Sequence, residues 1–215
     1  MTLAYAIGDI HGMYDMMMLA LEQISKREPG RIIFLGDLMD RGPNSYDCVR
    51  HVKAMCDSGV AECVAGNHEN MMYANDAYIW NMNGARETLK SYREVSPDIY
   101  DEHVEWMRRL PSCIDTGKHF FVHGGINPKL PPDKQDHYDM IWARFWQDDI
   151  KPKKGWHGRH VVYGHTPYKT PKLMIHSTGL DTGAVYGNAL SVGVFDLEAG
   201  GGPIDIFQIG SVIAS

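Results

Sequence analysis

The sequence predicts an α/β fold built from two β-sheets. Up to about residue 65, strand-like apolar runs alternate with helical patterns, which is typical of a parallel sheet with right-handed crossovers. Later strand-like runs arrive without helices between them, which predicts a second, mostly antiparallel sheet. From Met71 to about Leu110 the pattern is helical and charged, so we expect a helical cap there.

The first part of the chain supplies three expected strands and two expected helices. The strands are Leu3 to Ile7, Ile32 to Leu35 and a weaker run from Glu62 to Ala65, and the helices are Met13 to Lys26 and Pro43 to Ser58. In the first helix, Met17, Leu21 and Ile24 recur at helical spacing. The second begins with proline and is followed by Gly59, as helices commonly are.

Further strands are expected at Phe120 to Val122, Val161 to Tyr163 and Ile204 to Ile209. Gly187-Asn188 lies between the strand-like runs 184–186 and 190–195, which predicts a β-hairpin. No linker, repeat or low-complexity tract divides the 215 residues, so we expect a single domain over 1–215 with the cap at about 71–110 inside it.

Composition narrows the class of protein. The formal charge is −6 and there is no basic run, which argues against a nucleic-acid binder. No apolar stretch approaches the ~20 residues needed to span a bilayer, and the N-terminus lacks the basic region of a signal peptide. The four cysteines form no CxxC pair. We therefore expect a cytoplasmic protein with reduced thiols and no membrane partner; its oligomeric state is left open.

Five short segments, each directly after a strand-like run, carry polar side chains suited to holding metal ions. They are Gly8-Asp9-Ile10-His11-Gly12, Gly36-Asp37-Leu38-Met39-Asp40-Arg41-Gly42, Gly66-Asn67-His68-Glu69, His123-Gly124-Gly125 and Gly164-His165. Glycines at strand ends let the backbone turn sharply and gather ligands along one sheet edge. Carboxylate, amide and imidazole ligands without thiolate predict two transition-metal ions, with Mn²⁺, Fe²⁺ and Zn²⁺ all compatible.

The same segments contain groups for acid catalysis and phosphate binding. Asn67 and His68 are adjacent and must point in different directions, so His68 is the candidate general acid beside a ligand. Asp40 can hold that imidazole in the donating tautomer. Arg41 offers a planar fork that matches two phosphoryl oxygens.

In this order, the segments resemble the phosphoprotein phosphatase family of binuclear metallophosphoesterases, from Gly8 to about Gly187. Gly164-His165-Thr166-Pro167 and the later Leu180-Asp181-Thr182-Gly183-Ala184-Val185 resemble its bacterial and phage branch, which includes the phage lambda phosphatase. The resemblance implies a calcineurin-like metallophosphoesterase fold, a two-sheet β-sandwich flanked by helices.

The resemblance also implies a ligand assignment. It gives Asp9, His11 and Asp37 to a first ion, and Asp37, Asn67, His123 and His165 to a second. It implies manganese, assigns the His68–Asp40 pair the acid role, and matches Arg144, in Ile141-Trp142-Ala143-Arg144, to a second phosphate-binding arginine. A surface ion-pair role for Arg144 stays open.

The leading hypothesis is a metal-dependent phosphomonoesterase that cleaves phosphorylated protein side chains, serine or threonine with tyrosine left open. Its nucleophile would be a hydroxide bridging the two ions. One alternative is a hydrolase of dinucleoside polyphosphates or other small phosphoesters, which the branch-specific match and the shorter chain disfavour. The alternative of another class is an inert metal-binding scaffold for phosphoproteins, disfavoured because every ligand and the acid are present.

Three further positions have expected roles. His176 follows a strand-like run and is expected on the substrate side or behind a ligand, with direct ligation as the alternative. Asp181 is expected to support a loop or orient a ligand. Trp142 and Trp146, expected one helical turn apart, either wall the pocket or fill the core.

Overall fold

Two five-stranded sheets form the centre of the computed structural model, which describes residues 1–74, 77–144, 146–151, 153 and 155–210. The strands are β1 (Leu3–Ile7), β2 (Gly30–Phe34), β3 (Ala61–Cys63), β4 (Cys113–Asp115), β5 (His119–Val122), β6 (His160–Tyr163), β7 (Lys172–Leu173), β8 (Ser177–Gly179), β9 (Leu190–Asp196) and β10 (Asp205–Ile209). The α-helices are α1 (Tyr14–Ser25), α2 (Ser45–Asp57), α3 (Asn67–Tyr73), α4 (Ala77–Met82), α5 (Ala85–Ser91), α6 (Pro97–Arg108) and α7 (His137–Trp142).

The first sheet has the strand order β10-β9-β1-β2-β3. β1, β2 and β3 run parallel, as the strand–helix alternation predicts, and α1 and α2 are the crossovers between them. β9 pairs antiparallel with β1, and β10 antiparallel with β9. The parallel strands therefore end at the same edge, where Gly8, Leu35 and Val64 continue the chain.

The second sheet has the order β4-β5-β6-β8-β7. Its centre is parallel, because β5 pairs with β6 and β6 with β8 in the same direction. Only β4 and β7, at its two edges, are antiparallel to their neighbours. β5 and β6 consequently also end side by side, just before His123 and His165.

The expectation of a mostly antiparallel second sheet is wrong. The late strands β9 and β10 extend the first sheet, and the second sheet is mixed. The hairpin expected around Gly187-Asn188 is also wrong, because Ala184–Tyr186 is a short 3₁₀ helix rather than a strand. Gly183 and Gly187 flank it with left-handed φ angles of 71° and 85°, so the backbone turns at both ends.

An apolar layer between the sheets holds them face to face. Ala6 and Leu35 of the first sheet and its following loop, and Phe121 and Val162 of the second, are fully buried in this layer. Burying such side chains is the main favourable contribution to folding. This packing brings the carboxyl ends of the parallel strands of both sheets together, and the two outer faces are covered by helices and loops with apolar cores of their own.

Four helices, α3 to α6, follow one another without a strand between them, where the charged helical pattern predicts a cap. α3 packs against α4 and α6, and α4 against α5. α3 begins at Asn67 itself, so its first residues belong both to the cap and to the sheet edge. Within the described ranges, no helix combines the length and apolar character needed to cross a membrane.

Candidate metal centre and active site

The five polar segments meet where the two sheets end. Asp9 and His11 follow β1, Asp37 and Asp40 follow β2, Asn67 and His68 open α3 after β3, and His123 and His165 follow β5 and β6. These eight side chains are all buried, with at most 5% exposure. The structure thus brings together every metal ligand and both members of the acid pair proposed from the sequence.

The backbone at this edge is unusually constrained. Among the described residues, six non-glycine positions have left-handed φ angles, and five of them belong to the site: His11 (45°), Asp37 (50°), Asp40 (69°), Arg41 (67°) and His165 (64°). Such conformations cost of order 1–3 kcal/mol each and persist where the surrounding structure enforces them. They turn the chain so that side chains from different strands face one another.

Two glycines permit this close approach. A Cβ on Gly66 would clash with the Asp37 carboxylate, and one on Gly164 would clash with the Asp9 carboxylate. At these two positions the missing side chain therefore leaves room for a neighbouring carboxylate.

Two groups of potential ligand atoms share Asp37. The first group consists of Asp37, His11 and His68, and the second consists of Asp37, His123 and His165. Within each group, the side-chain ligand atoms all lie within 4.8 Å of one another. Asp37 Oδ2 lies 3.4 Å from His11 Nε2, and Oδ1 lies 3.3 Å from His123 Nε2. A carboxylate with one oxygen directed at each group is suited to bridging two cations.

The remaining two proposed ligands, Asn67 and Asp9, lie at different distances from the two groups of ligand atoms. Asn67 Oδ1 lies 2.9 Å from His123 Nε2 and 2.8 Å from His165 Nδ1, so it stands inside the second group. Asp9 is outside both compact groups; its carboxylate accepts the backbone N–H of His165 at 3.1 Å. Asp9 is therefore near the centre, as predicted, but further from the other ligand atoms than Asp37.

Backbone carbonyls fix the orientation of two imidazoles. His11 Nδ1 lies 2.7 Å from the Met39 carbonyl, and His123 Nδ1 lies 2.7 Å from the Leu35 carbonyl. Each Nδ1 donates to its carbonyl, which directs Nε2 towards Asp37. This is the usual arrangement of metal-binding histidines, whose other ring nitrogen is held by a carbonyl or carboxylate.

The buried carboxylates of Asp9 and Asp37 carry negative charge that needs positive charge nearby. Burial raises the pKa of Asp9, and the neighbouring Asp181 and Asp37 raise it further. Burial alone would also raise the pKa of Asp37, but His123 and the other imidazoles hold it well below its usual range. Burial lowers the pKa of His123, yet Asp37 outweighs that effect and raises it to about 10. In this protein a proton on His123 thus balances part of the carboxylate charge.

These features fit two divalent ions. Burial lowers the pKa of His11 to about 3 and that of His165 to about 2, so both are neutral imidazoles as metal ligands must be. His165 directs Nδ1 at the second group, 2.8 Å from Asn67 Oδ1, so this nitrogen is the one placed to bind an ion. The oxygen and nitrogen donors suit Mn²⁺, Fe²⁺ or Zn²⁺, and binding at His123 would release its proton.

A closed hydrogen-bond network positions His68. Its Nδ1 lies 2.7 Å from Asp40 Oδ2. Asp40 also accepts from Trp80 Nε1 at 2.9 Å and from Thr88 Oγ1 at 2.6 Å, and its backbone N–H donates to Ser45 Oγ. A carboxylate can only accept, so His68 Nδ1–H is the donor to Asp40. The other ring nitrogen, Nε2, therefore faces the metal centre and lies 3.9 Å from Asp37 Oδ2.

Glu69 supports the bridging aspartate from behind. Its Oε2 accepts the backbone N–H groups of Asp37 (3.0 Å) and Gly66 (2.9 Å), and its Oε1 accepts that of Leu38 (2.8 Å). One carboxylate therefore connects the loop after β2 to the start of α3. Glu69 is the third residue of the helix, the usual place for the acidic member of a capping box.

The two arginines lie in different surroundings. Arg41 is partly buried, and its Nη1 donates to His11 Nε2 at 2.5 Å. The lone pair of His11 Nε2 can bind only one partner at a time. An ion bound to His11 therefore has to displace the Arg41 guanidinium. Arg144 is exposed, yet close enough for its charge to depress the pKa of His165, after the larger effects of burial and His123.

Two expectations from the sequence are wrong. His176 lies in the turn between β7 and β8, and its carbonyl accepts the N–H of Val161 at the start of β6, at the other end of that strand from His165. It therefore belongs to neither the metal centre nor its substrate side. Trp142 and Trp146 are not on one helix, because α7 ends at Trp142 and Trp146 begins a 3₁₀ helix.

Trp142 lines the site, whereas Trp146 and Asp181 support the surrounding structure. Trp142 stands edge-on to His165, with ring centroids 5.9 Å apart, and so forms a wall of the site. Trp146 is buried and donates to the Gly124 carbonyl, a core role. Asp181 accepts the N–H of Gly183, as expected of a loop support, and burial raises its pKa to about 6.

Sequence reasoning missed the residues that hold the loop of the bridging Asp37 and the His68–Asp40 pair in place. Glu69 had a local signal, since its capping-box position is visible in Gly66-Asn67-His68-Glu69. Trp80 and Thr88 had none: they lie 40 and 48 residues from Asp40 along the chain, within a helical pattern that does not reveal which face meets the site.

The fold and the shared-carboxylate centre define a binuclear metallophosphoesterase. In agreement, the calcineurin-like phosphoesterase family matches residues 4–189, and the chain belongs to that family. The fold expected from the sequence is thereby confirmed.

Individual relatives and solved structures are similar to the chain over most of its length. Over 215 aligned residues, the chain is 29% identical to the asymmetrical bis(5'-nucleosyl)-tetraphosphatase PrpE of Bacillus subtilis, covering 86% of this chain and 87% of that protein. Among solved structures, one provisionally assigned as a diadenosine tetraphosphatase shares the fold with a TM-score of 0.71 and 21% identity, covering 97% and 93% of the two chains. A protein serine/threonine phosphatase from Saccharomyces cerevisiae superimposes with a TM-score of 0.70 at 16% identity, covering 98% and 80%.

Proposed function

We propose that this protein hydrolyses dinucleoside polyphosphates, with diadenosine tetraphosphate as the type substrate, and cleaves them asymmetrically. The observation that carries the proposal is the similarity over most of both chains to an asymmetrical bis(5'-nucleosyl)-tetraphosphatase. A resemblance to protein phosphatases rests on motifs that the wider family shares, and the yeast phosphatase supports the fold alone. The alternative from the sequence is therefore favoured over its leading hypothesis.

Length gives no argument against this substrate. The Bacillus subtilis relative is covered to 87% by this chain, so the two proteins are of similar size. The expectation that a shorter chain disfavours a dinucleoside polyphosphatase does not hold for this relative.

The residues of the centre have distinct tasks in the proposed reaction. Asp9, His11 and Asp37 would hold one ion, and Asp37, Asn67, His123 and His165 the other, with Mn²⁺ as the proposed metal. When bound, two divalent ions supply Lewis acidity and lower the pKa of an attacking water. Arg41 and Arg144 would bind the charged oxygens of the polyphosphate, since guanidinium groups match them in shape and charge.

His68 would protonate the departing oxygen. Nδ1–H is held by Asp40, so Nε2 carries the transferable proton towards the reacting phosphoryl group. In the balanced reaction, water adds to the phosphorus nearest one nucleoside and the bond to the next bridging oxygen breaks. That oxygen takes the proton from His68, the attacking water releases a proton to solvent, His68 regains one from solvent, and the products are AMP and ATP.

The proposal is tested by a substrate panel on the purified full chain with Mn²⁺. Diadenosine tetraphosphate, p-nitrophenyl phosphate, and phosphoserine, phosphothreonine and phosphotyrosine peptides are compared by kcat/KM, and nucleotide products are separated by chromatography. We expect the highest kcat/KM for diadenosine tetraphosphate, with AMP and ATP in equal amounts. Two equivalents of ADP would replace asymmetrical by symmetrical cleavage. Preference for a phosphopeptide would restore the protein phosphatase hypothesis.

A further inference from the structure

The face of the site beside His165 carries an aromatic stack that the proposed chemistry does not use. Tyr138 lies on the ring of Trp142, with centroids 6.2 Å apart and planes inclined by 28°. Trp142 in turn meets His165 edge-on. Tyr138 is 65% exposed, so its outer surface faces solvent. A large, nearly flat aromatic surface therefore stands beside a metal ligand.

This stack is held in a fixed position relative to the metal centre. Both rings are on α7, whose start is capped by the Asp136 carboxylate accepting the N–H of Tyr138 at 2.8 Å. The Met140 carbonyl accepts the N–H groups of Gly124 and Gly125, directly after His123. The helix is thus fastened to the loop that presents a ligand, and little freedom is lost when something binds against it.

A cleft of about 450 Å³ adjoins α7 at Asp139, next to the Tyr138–Trp142 stack although neither ring lines it, and its size suits a ligand with the bulk of a nucleotide. Its lining includes two cations, Lys129 and Arg144, and two carboxylates, Asp139 and Asp149. A bare anion would be attracted by Lys129 and Arg144 and repelled by Asp139 and Asp149. A nucleoside polyphosphate suits both, because phosphates pair with the cations and ribose hydroxyls donate to a carboxylate, as they do in dinucleotide-binding folds.

We propose that the Tyr138–Trp142 stack and this cleft bind the nucleoside end of the substrate that leaves as the nucleoside triphosphate. This inference rests on the proposed function. The base stacks on Tyr138, and the phosphates run past Arg144 towards the metal centre. An asymmetrically cleaved substrate has a long arm that needs binding groups beyond the ions, and this face of the site provides them.

The test compares Tyr138→Leu with Tyr138→Phe and with the matched control Tyr78→Leu. Tyr78 is 77% exposed on α4, two residues from Trp80 and so on nearly the opposite side of that helix from Asp40. Each variant is assayed with diadenosine tetraphosphate and with p-nitrophenyl phosphate, which has no second group to occupy the cleft.

Base–aromatic stacking predicts that Tyr138→Leu raises the KM for diadenosine tetraphosphate by roughly 5- to 150-fold, with a smaller effect on kcat. The loss on p-nitrophenyl phosphate should be several-fold smaller. Tyr138→Phe should stay close to wild type, because the ring rather than the hydroxyl makes the stack. Lys129→Ala should raise the same KM, and added salt should reduce that difference.

Three results would overturn the subsite while leaving the proposed function intact: Tyr138→Leu behaving like Tyr78→Leu, an equal loss on both substrates, or Tyr138→Phe as damaging as Tyr138→Leu. A wild-type protein that cleaves p-nitrophenyl phosphate but no dinucleoside polyphosphate would refute the proposed function and the subsite together. Melting temperature and metal content of each variant separate these outcomes from misfolding.

Discussion

The two sheets contribute unlike halves to one centre. The first sheet and α3 supply the two carboxylates, one imidazole, the amide and the proposed acid. The supporting groups there are fully engaged: Asp40 accepts from His68, Trp80 and Thr88, and Glu69 accepts three backbone N–H groups. The second sheet supplies two imidazoles beside the exposed Arg144. There, His165 Nε2 has no partner.

This difference shows where the protein itself defines the geometry and where an ion does. In the first half, hydrogen bonds from the cap and from Glu69 fix each group before anything binds. In the second half, the Leu35 carbonyl orients His123, whereas His165 Nδ1 meets only the Asn67 amide oxygen, another proposed ligand atom, so an ion would have to replace this contact. Substitutions of His68 or Asp40 should therefore impair chemistry with the ions retained, whereas substitution of a ligand such as His165 should impair metal retention.

Asp37→Asn should have the largest effect, because Asp37 is the one group that joins the halves. An amide oxygen carries no charge to offset two neighbouring cations, so their mutual repulsion is less compensated. We expect fewer than two ions per chain and a loss of turnover larger than the roughly 10²–10⁴-fold that general acid catalysis contributes. Elemental analysis and kcat/KM check this, with His165→Asn as the comparison expected to lose only the second ion. Two retained ions and near-native turnover in Asp37→Asn would mean that the bridge is misassigned.

His68→Asn should impair chemistry without removing metal, because Nε2 is assigned to the proton rather than to an ion. The expected loss is roughly 10²–10⁴-fold for a poor leaving group such as an alkyl phosphate. It should shrink for p-nitrophenyl phosphate, whose leaving group needs little protonation. Metal content measured on the same sample separates the two assignments. An equal loss on both substrates would refute the acid role, and a lost ion would make His68 a ligand, which its place in the first compact group allows.

Much of this centre could be predicted because its ligands are local. Each stands within a few residues of a strand-like run, and the glycines beside them mark the sharp turns. The strained backbone at His11, Asp37 and His165 could not be predicted from residue type, since it depends on neighbours from other strands. The same applies to Trp80 and Thr88, which reach Asp40 through tertiary packing alone.

The sheet assignment failed for a related reason. The run 190–195 reads as a strand in the sequence, but nothing local states that its partner is β1 rather than a later strand. The short 3₁₀ helix at Ala184–Tyr186 reads as a strand because alanine, valine and tyrosine suit both, and the glycines on either side decide the outcome. Substrate class was likewise underdetermined, since the motifs describe the phosphoryl chemistry that the whole family shares.

Trp80→Phe tests whether the helical cap contributes to the chemistry through Asp40. It removes one donor to Asp40 while keeping an aromatic ring in place, and Thr88 still donates to the same carboxylate. A hydrogen bond to a charged group is worth about 1.5–3 kcal/mol, so we expect about a tenfold loss of kcat with both ions retained. Trp106→Phe, on α6 and buried in the outer core, is the matched control. Equal kinetics of the two variants would show that Asp40 does not need the indole.

The smallest effect on turnover is expected at the far end of the second sheet, where His160 opens β6 and pairs through Nε2 with Thr178 Oγ1. Burial lowers the pKa of His160 to about 4, from a usual value near 6.5. Above pH 6.5 the imidazole is neutral in the folded and unfolded chains alike. Between pH 6.5 and 4 only the unfolded chain takes up the proton, so stability falls as pH falls, by about 3 kcal/mol in all.

His160→Gln keeps a hydrogen-bonding group for Thr178 and removes that titration. We expect the free energy of unfolding of His160→Gln to fall less steeply than that of the wild type between pH 6.5 and 4, with turnover at pH 7.5 within about twofold of wild type, the scale of a surface change. The metal ligands also titrate in this range, so the comparison uses denaturant unfolding of chelated protein, in which their contribution is common to both chains. Parallel slopes for wild type and His160→Gln would show that His160 takes up its proton in the folded protein.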